Sequence, residues 1–65
     1  MNARDTLKIL KADGWVEHSQ KGSYLHLKHP TRAGKVTVPM HGATDLSPGV
    51  LRSIEHQSGT KLRRT

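Results

Sequence analysis

The chain has 65 residues, which is room for one domain with a thin hydrophobic core. A formal net charge of +6 means that the surface attracts polyanions, such as nucleic acid or an acidic protein, unless the charge serves solubility alone. The absence of cysteine excludes a disulfide framework and a thiolate zinc site. No apolar run approaches the roughly 20 residues of a membrane span, and the N-terminus lacks the apolar segment of a secretory signal. The sequence therefore predicts a soluble, cytoplasmic protein.

The first predicted element is an amphipathic helix that follows Asn2, whose side chain can cap it. Its apolar positions recur at spacings of four and three and form one stripe, which consists of Ala3, Leu7 and Leu10. Asp13 is predicted to face water, and Gly14 ends the helix because glycine best adopts a left-handed cap.

Three strands are predicted to follow the helix. The first runs from Trp15 to Ser19 and is followed by a turn at residues 20–22. The second runs from Ser23 to His29 and alternates between apolar and polar residues, which predicts one buried and one solvated face. The inward positions are Leu25 and Leu27, and the outward positions are Tyr24, His26 and Lys28. The third strand begins at Lys35, buries Val36 and Val38, and ends at Pro39, and a polar loop over residues 40–45 follows it.

The last predicted element is a helix that begins at Ser47-Pro48, a capping residue followed by a favourable first helical residue. Its buried stripe is Val50, Leu51 and Ile54, and Gly59 ends it. The order predicts an α+β fold of the helix-strand-strand-strand-helix type, a three-stranded antiparallel sheet with both helices on one face. Residues 1–60 form the single domain, and residues 61–65 form a basic tail in which only Leu62 is expected to be held.

A row of polar side chains on the outward face of the middle strand is the candidate site. Lys21, Lys28 and Lys35 can contact phosphates, Tyr24 can stack on a base, and His26 can exchange protons near neutral pH. Ribonuclease chemistry needs a base for the 2′-hydroxyl, an acid for the leaving 5′-oxygen and cations around the charged intermediate. The alternative is that this row is only the solvated face of a strand.

The remaining histidines are not predicted to form a site. His26 and His29 point to opposite faces of the strand, so they cannot share a metal ion. His18, His41 and His56 lie on different elements and are interpreted as surface residues. No Asp or Glu clusters beside a histidine, which argues against a carboxylate-bound metal nuclease. No cofactor is expected.

The chain resembles the HicA family of mRNA interferase toxins over residues 5–60. The resemblance is carried by the order and spacing of several short runs rather than by any one of them. These runs are Gly14-Trp15, Lys21-Gly22-Ser23, Leu27-Lys28-His29-Pro30, Val36-Thr37-Val38-Pro39, Asp45-Leu46, Gly49 and Leu51-Arg52-Ser53-Ile54.

The resemblance implies a fold similar to the double-stranded-RNA-binding domain and a toxin of a type II toxin-antitoxin system. It also implies metal-independent cleavage of mRNA, which halts translation, and a HicB-type antitoxin that binds the toxin and covers its active site. Antitoxins of this kind also bind promoter DNA, whereas this chain shows no sign of reading DNA sequence by itself. The candidate RNA-binding residues are Lys21, Gly22, Ser23, Lys28 and Lys35.

Position 24 departs from the family pattern, in which the residue after the Gly-Ser pair is the catalytic histidine. Here Gly22-Ser23 is followed by Tyr24, and the phenol of a tyrosine is neutral at pH 7 and therefore a poor general base. Three explanations remain open. The tyrosine is an introduced inactivating substitution, or the toxin is naturally degenerate but still binds RNA, or His26 performs the catalysis.

The sequence thus predicts a toxin-type endoribonuclease that is inactive or impaired because of Tyr24. The alternative function is a non-catalytic RNA-binding module, which the same basic face would serve. A third possibility is a domain that only binds an acidic protein partner.

Overall fold

The computed structural model describes residues 1–40 and 45–62, and the predicted order of elements is confirmed. The three strands form one antiparallel sheet in the order β1-β2-β3. Most of the predicted polar loop, including His41 and Gly42, lies outside the described residues. The elements are helix α1 (Ala3–Ala12), strands β1 (Val16–Lys21), β2 (Tyr24–Lys28) and β3 (Lys35–Pro39), and helix α2 (Pro48–Ser58).

Helix α1 begins as predicted, because the side chain of Asn2 accepts a hydrogen bond from the N–H of Asp5 at 2.8 Å. Its buried residues are Ala3, Thr6 and Leu10, whereas Leu7 is only partly buried. The burial of Thr6 was not predicted. It is possible because the Thr6 hydroxyl donates to the carbonyl of Asn2 at 3.0 Å and is thus satisfied inside the core.

The core lies on one side of the sheet, where both helices pack. The predicted inward residues of β2 and β3 are all buried, and all of them except Leu25 belong to one core cluster with apolar residues of α1 and α2 and with Trp15. The sheet residues in question are Leu25, Leu27, Val36 and Val38. No helix in the described part of the chain is long and apolar enough to cross a membrane.

The first hairpin differs from its predicted boundaries. Strand β1 starts at Val16 and continues to Lys21, so the turn is at Gly22-Ser23 and not at residues 20–22. Gly22 supplies the positive φ of +59° that this turn requires. All six residues of β1 are exposed, and a bulge between Glu17 and Ser19 shifts its register with β2. Strand β1 is therefore an irregular, open edge of the sheet.

The opposite edge of the sheet is partly covered. The N–H of Thr37 in β3 donates to the side-chain oxygen of Gln57 in α2 at 3.3 Å, so the second helix occupies part of the outer side of this strand. Strand β3 runs through Pro39, which lies opposite Tyr24. A proline without an N–H is tolerated on an edge strand.

Helix α2 begins at the predicted cap, where the Ser47 hydroxyl accepts a hydrogen bond from the N–H of Val50 at 3.3 Å. Gly59 ends it in the left-handed conformation. Within the predicted tail, Leu62 is 2% exposed and belongs to the core cluster. Its N–H donates to the Glu55 carboxylate at 2.9 Å. The packed structure thus continues past residue 60.

The sequence pattern predicted that Asp13 faces water, but its side chain is held by other parts of the chain. Its carboxylate accepts hydrogen bonds from Arg32 at 2.6 Å and from the Thr60 hydroxyl at 2.5 Å. The same Arg32 nitrogen also donates to the carbonyl of Ser58 at 3.1 Å. The Thr60 hydroxyl, followed by the Arg32 guanidinium, lowers the pKa of Asp13. This carboxylate therefore joins the end of α1 to the segments that follow β2 and α2.

His29, at the end of β2, also contacts Asp13. We call the group formed by Asp13, His29, Arg32, Ser58 and Thr60 the polar junction. The Nε2 of His29 is 2.9 Å from the carbonyl oxygen of Asp13, and its Nδ1 accepts from the N–H of Thr31 at 3.1 Å. Because a carbonyl only accepts and an N–H only donates, the neutral tautomer with hydrogen on Nε2 satisfies both contacts. The ring also packs edge-on against buried Trp15, with centroids 5.2 Å apart. His29 is thus a structural histidine.

Candidate functional site

No helix among residues 1–40 and 45–62 packs on the outward face of the sheet, which presents the polar row that the sequence predicted. Tyr24 is 51% exposed, Lys28 is exposed, and His26 between them is half-buried. The alternation along β2 places all three side chains on the face away from the core. We call this surface the open face.

The register of the two hairpins extends the row into a small grid. On β1, Lys21 lies opposite Tyr24 and Ser19 lies opposite His26. On β3, Thr37 lies opposite His26 and Lys35 lies opposite Lys28. Directly opposed residues of an antiparallel pair point to the same side. The predicted phosphate-contacting lysines, Lys21, Lys28 and Lys35, therefore share the open face with Tyr24 and His26.

His26 is at the centre of the open face and is held from one side. Its Nδ1 is 3.0 Å from the hydroxyl of Thr37, the residue directly opposite it on β3. The hydroxyl can donate or accept, so it can accompany either tautomer of the ring. The contact leaves Nε2 as the nitrogen available to a ligand.

Gly22 and Ser23 serve the hairpin turn next to Tyr24. The carbonyl of Gly22 accepts a hydrogen bond from the side chain of Gln20 at 3.1 Å. The carbonyl of Ser23 accepts one from the N–H of Met40 at 2.6 Å, which ties the turn to the end of β3. These two hydrogen bonds therefore hold the backbone of Gly22 and Ser23 in place immediately before position 24.

A histidine that the sequence analysis assigned to the general surface lies next to two of these lysines. The bulge in β1 inserts His18 into the edge of the sheet, and its side chain lines a shallow depression of about 520 Å³. The other lining residues are Ser19, Lys28, Gly34 and Lys35. No sequence signal indicated this neighbourhood, because a bulge changes which side of a strand a residue faces and has no residue signature here.

Of the remaining histidines that the structure describes, neither His29 nor His56 is part of the open face. His29 is in the polar junction with Asp13, and His56 is exposed on α2. Within residues 1–40 and 45–62, no three His, Cys, Asp or Glu side chains are grouped so as to hold a metal ion.

The fold and this surface together define a small α+β domain with one helix-covered face and one basic, open face. A family model described as HicA toxin of bacterial toxin-antitoxin matches residues 3–60. The match covers nearly the whole chain, so the chain belongs to the HicA toxin family. A search of curated proteins returned no match. Family membership implies an antitoxin partner and suggests a nuclease role in general.

Proposed function

We propose that this chain is an mRNA endoribonuclease toxin that binds RNA on its open face and is impaired in cleavage because of Tyr24. The observation that carries the proposal is the position of Tyr24 on that face. It follows the Gly22-Ser23 turn and shares one surface with His26 and the basic row. We propose that the RNA-binding residues are Lys21, Gly22, Ser23, Lys28 and Lys35.

The proposed reaction is a metal-independent cleavage of the phosphodiester bond. A base removes the proton of the 2′-hydroxyl, the resulting oxygen attacks the phosphorus, and the 5′-oxygen leaves with a proton from an acid. Lysine ammonium groups stabilise the negative charge that develops on the phosphate. The family resemblance assigns the acid-base role to position 24, where a neutral phenol is a poor base. Binding should therefore persist while cleavage is lost.

His26 is the weaker catalytic candidate. It lies two residues further along β2, roughly 7 Å from position 24, and its ring is held by Thr37. A displacement of even 1 Å can cost about a hundredfold in rate. Catalysis by His26 would thus require the RNA to bind in a different position from the one that places the cleaved bond at residue 24.

The test compares this chain with Tyr24→His and Tyr24→Phe variants in cells and in vitro. We expect Tyr24→His to arrest growth and cut mRNA, and co-expression of a HicB-type antitoxin to restore growth. The Tyr24→Phe control should behave like the present chain. All three should unfold cooperatively, because Tyr24 points away from the core. Arrest and cleavage by the unmodified chain would instead support His26, and a His26→Ala variant would then abolish them.

A non-catalytic RNA-binding module is the second candidate, and the tyrosine at position 24 favours it for the chain as it stands. If the Tyr24→His variant binds RNA and folds but cuts nothing, this candidate replaces the enzyme. If no variant binds RNA at low salt, the domain binds only a protein partner. We further propose that a HicB-type antitoxin covers the open face and that the toxin acts in the cytoplasm, where mRNA is translated.

A further inference from the structure

We propose that the depression beside the β1 bulge is a phosphate-binding subsite that anchors the RNA at a distance from position 24. We call it the bulge subsite, and its lining residues are His18, Ser19, Lys28, Gly34 and Lys35. The inference rests on the proposed RNA-binding function and adds where a second, uncut phosphate is held.

The first observation is a pair of like charges. Lys28 and Lys35 lie directly opposite each other on β2 and β3, where like charges destabilise a sheet. The described ion pairs of the chain use the carboxylates of Asp13, Glu17 and Asp45, and none of them includes either lysine. An anion between the two ammonium groups would turn this repulsion into attraction.

The second observation is the bulge itself. An extra residue in β1 brings His18 and Ser19 to the rim of the same depression, so an imidazole and a hydroxyl join the two ammonium groups. These groups are hydrogen-bond donors that suit phosphate oxygens. Bulges are common where a strand must aim a side chain at a site.

The third observation is the shape of the site. The depression has a volume of about 520 Å³ and is open to solvent, so the backbone of an extended chain can enter it. Gly34 has a φ of +86°, and a Cβ there would meet no atom within 4 Å. Because glycine has no side chain, nothing projects from position 34 into the path of an extended chain that enters the depression.

The position of the subsite sets its role. Lys28 and Tyr24 are four residues apart on β2, which corresponds to roughly 13 Å along the strand. A phosphate between the two lysines is therefore not the one at position 24. Single-stranded RNA would run along β2 from the bulge subsite over His26 to Tyr24. The subsite anchors the strand and takes no part in breaking the bond.

The test measures binding of a fluorescent single-stranded RNA oligonucleotide to the full chain by anisotropy, over a range of NaCl concentrations. The test variant is Lys28→Gln with Lys35→Gln. The control is Lys8→Gln with Lys61→Gln, which removes the same charge from exposed positions on α1 and after α2. We expect the test variant to bind about tenfold more weakly, with the slope of log affinity against log salt reduced by about 0.7, the value for one lost phosphate contact of a single strand. The control should keep the slope of the wild-type chain.

Two further measurements address His18 and the like-charge pair. A His18→Ala variant should bind about threefold to tenfold more weakly, as expected for one lost hydrogen bond. In the absence of RNA, Lys28→Gln should raise the melting temperature at low salt, because it removes the repulsion of Lys35.

The outcomes separate the subsite from the proposed function. If the wild-type chain binds RNA and the test variant has the same affinity and slope, the subsite is wrong and Lys28 and Lys35 are not RNA-binding residues, whereas RNA binding by the rest of the open face stands. If the wild-type chain does not bind RNA at low salt, the proposed function fails and the subsite with it. If the test variant loses only its affinity for an acidic antitoxin, the depression is a protein interface, and the phosphate assignment is overturned.

Discussion

Replacing Gly14 with alanine tests whether the polar junction holds the fold together. Gly14 has a φ of +101°, and a Cβ built there would be 2.6 Å from Nε2 of His29. The ring cannot easily move aside, because both of its nitrogens are hydrogen-bonded. Its Nε2 contacts the carbonyl of Asp13 and its Nδ1 contacts the N–H of Thr31, and the ring also packs against Trp15. The Gly14→Ala variant must therefore adopt a strained backbone and also displace His29.

The expected cost follows from these two effects. A left-handed backbone costs an alanine about 1–2 kcal/mol relative to glycine. Displacing the ring breaks its bond to Asp13 and adds about 1 kcal/mol. We expect a loss of about 2–3 kcal/mol in the free energy of unfolding. For a domain of this length, that lowers the melting temperature by roughly 10–20 °C.

Thermal and urea unfolding followed by circular dichroism measure this loss. The matched control is Gly49→Ala in the first turn of α2, where a Cβ meets no atom within 4 Å. Alanine is the better helix former, so this variant should be about 0.5 kcal/mol more stable. A His29→Ala background separates the two effects, since only the backbone strain of Gly14→Ala, about 1–2 kcal/mol, should remain there.

Two results would refute the reasoning. A Gly14→Ala protein within about 0.5 kcal/mol of the wild type, the usual range of neutral surface changes, would show that neither effect matters. An equal cost with and without His29 would show that the ring is not the obstacle. The backbone strain alone would then explain the loss.

Other predictions concern the same junction and the C-terminal segment. Because its partners lower the pKa of Asp13, the carboxylate stabilises the fold above about pH 4 and loses this effect as the pH falls through the lowered value. An Asp13→Asn variant should therefore lose less stability between about pH 5 and pH 2, and parallel acid-unfolding curves would contradict this. Leu62→Ala should cost about 2–5 kcal/mol by urea unfolding, because Leu62 is 2% exposed. A cost near zero would mean that the segment after residue 60 does not contribute to the core.

The sequence pattern predicted those parts of the fold that depend on local periodicity. The alternation around Leu25 and Leu27 predicted β2 correctly, and the Ser47-Pro48 pair located the start of α2. These features were predictable because the burial of a strand residue and the cap of a helix are set by neighbours in the chain.

The parts that were missed depend on contacts between distant segments. Asp13 meets Thr60, 47 residues away, and in sequence an aspartate that only faces water cannot be told from one that accepts hydrogen bonds from distant segments. Thr6 is buried because a backbone carbonyl satisfies its hydroxyl. His18 reaches the open face because of a bulge that has no residue signature.

The candidate site was predictable only in part. The alternation of β2 was enough to put Tyr24, His26 and Lys28 on one face, and their placement there is confirmed. Their chemical roles remain predictions, because a strand with the same alternation can equally be a solvated face. The register that sets Lys35 opposite Lys28 is a tertiary property and required the structure.

The unequal edges of the sheet limit how this domain can assemble. Gln57 occupies an outward N–H of β3 and so hinders a strand from another molecule there, whereas β1 is the more open edge for such a strand. There the bulge interrupts the spacing of donors and acceptors between Glu17 and Ser19. A regular strand can match the ladder on one side of the bulge but not across it. Stacking of identical copies edge to edge is thereby discouraged, while a partner strand with a matching irregularity can still add.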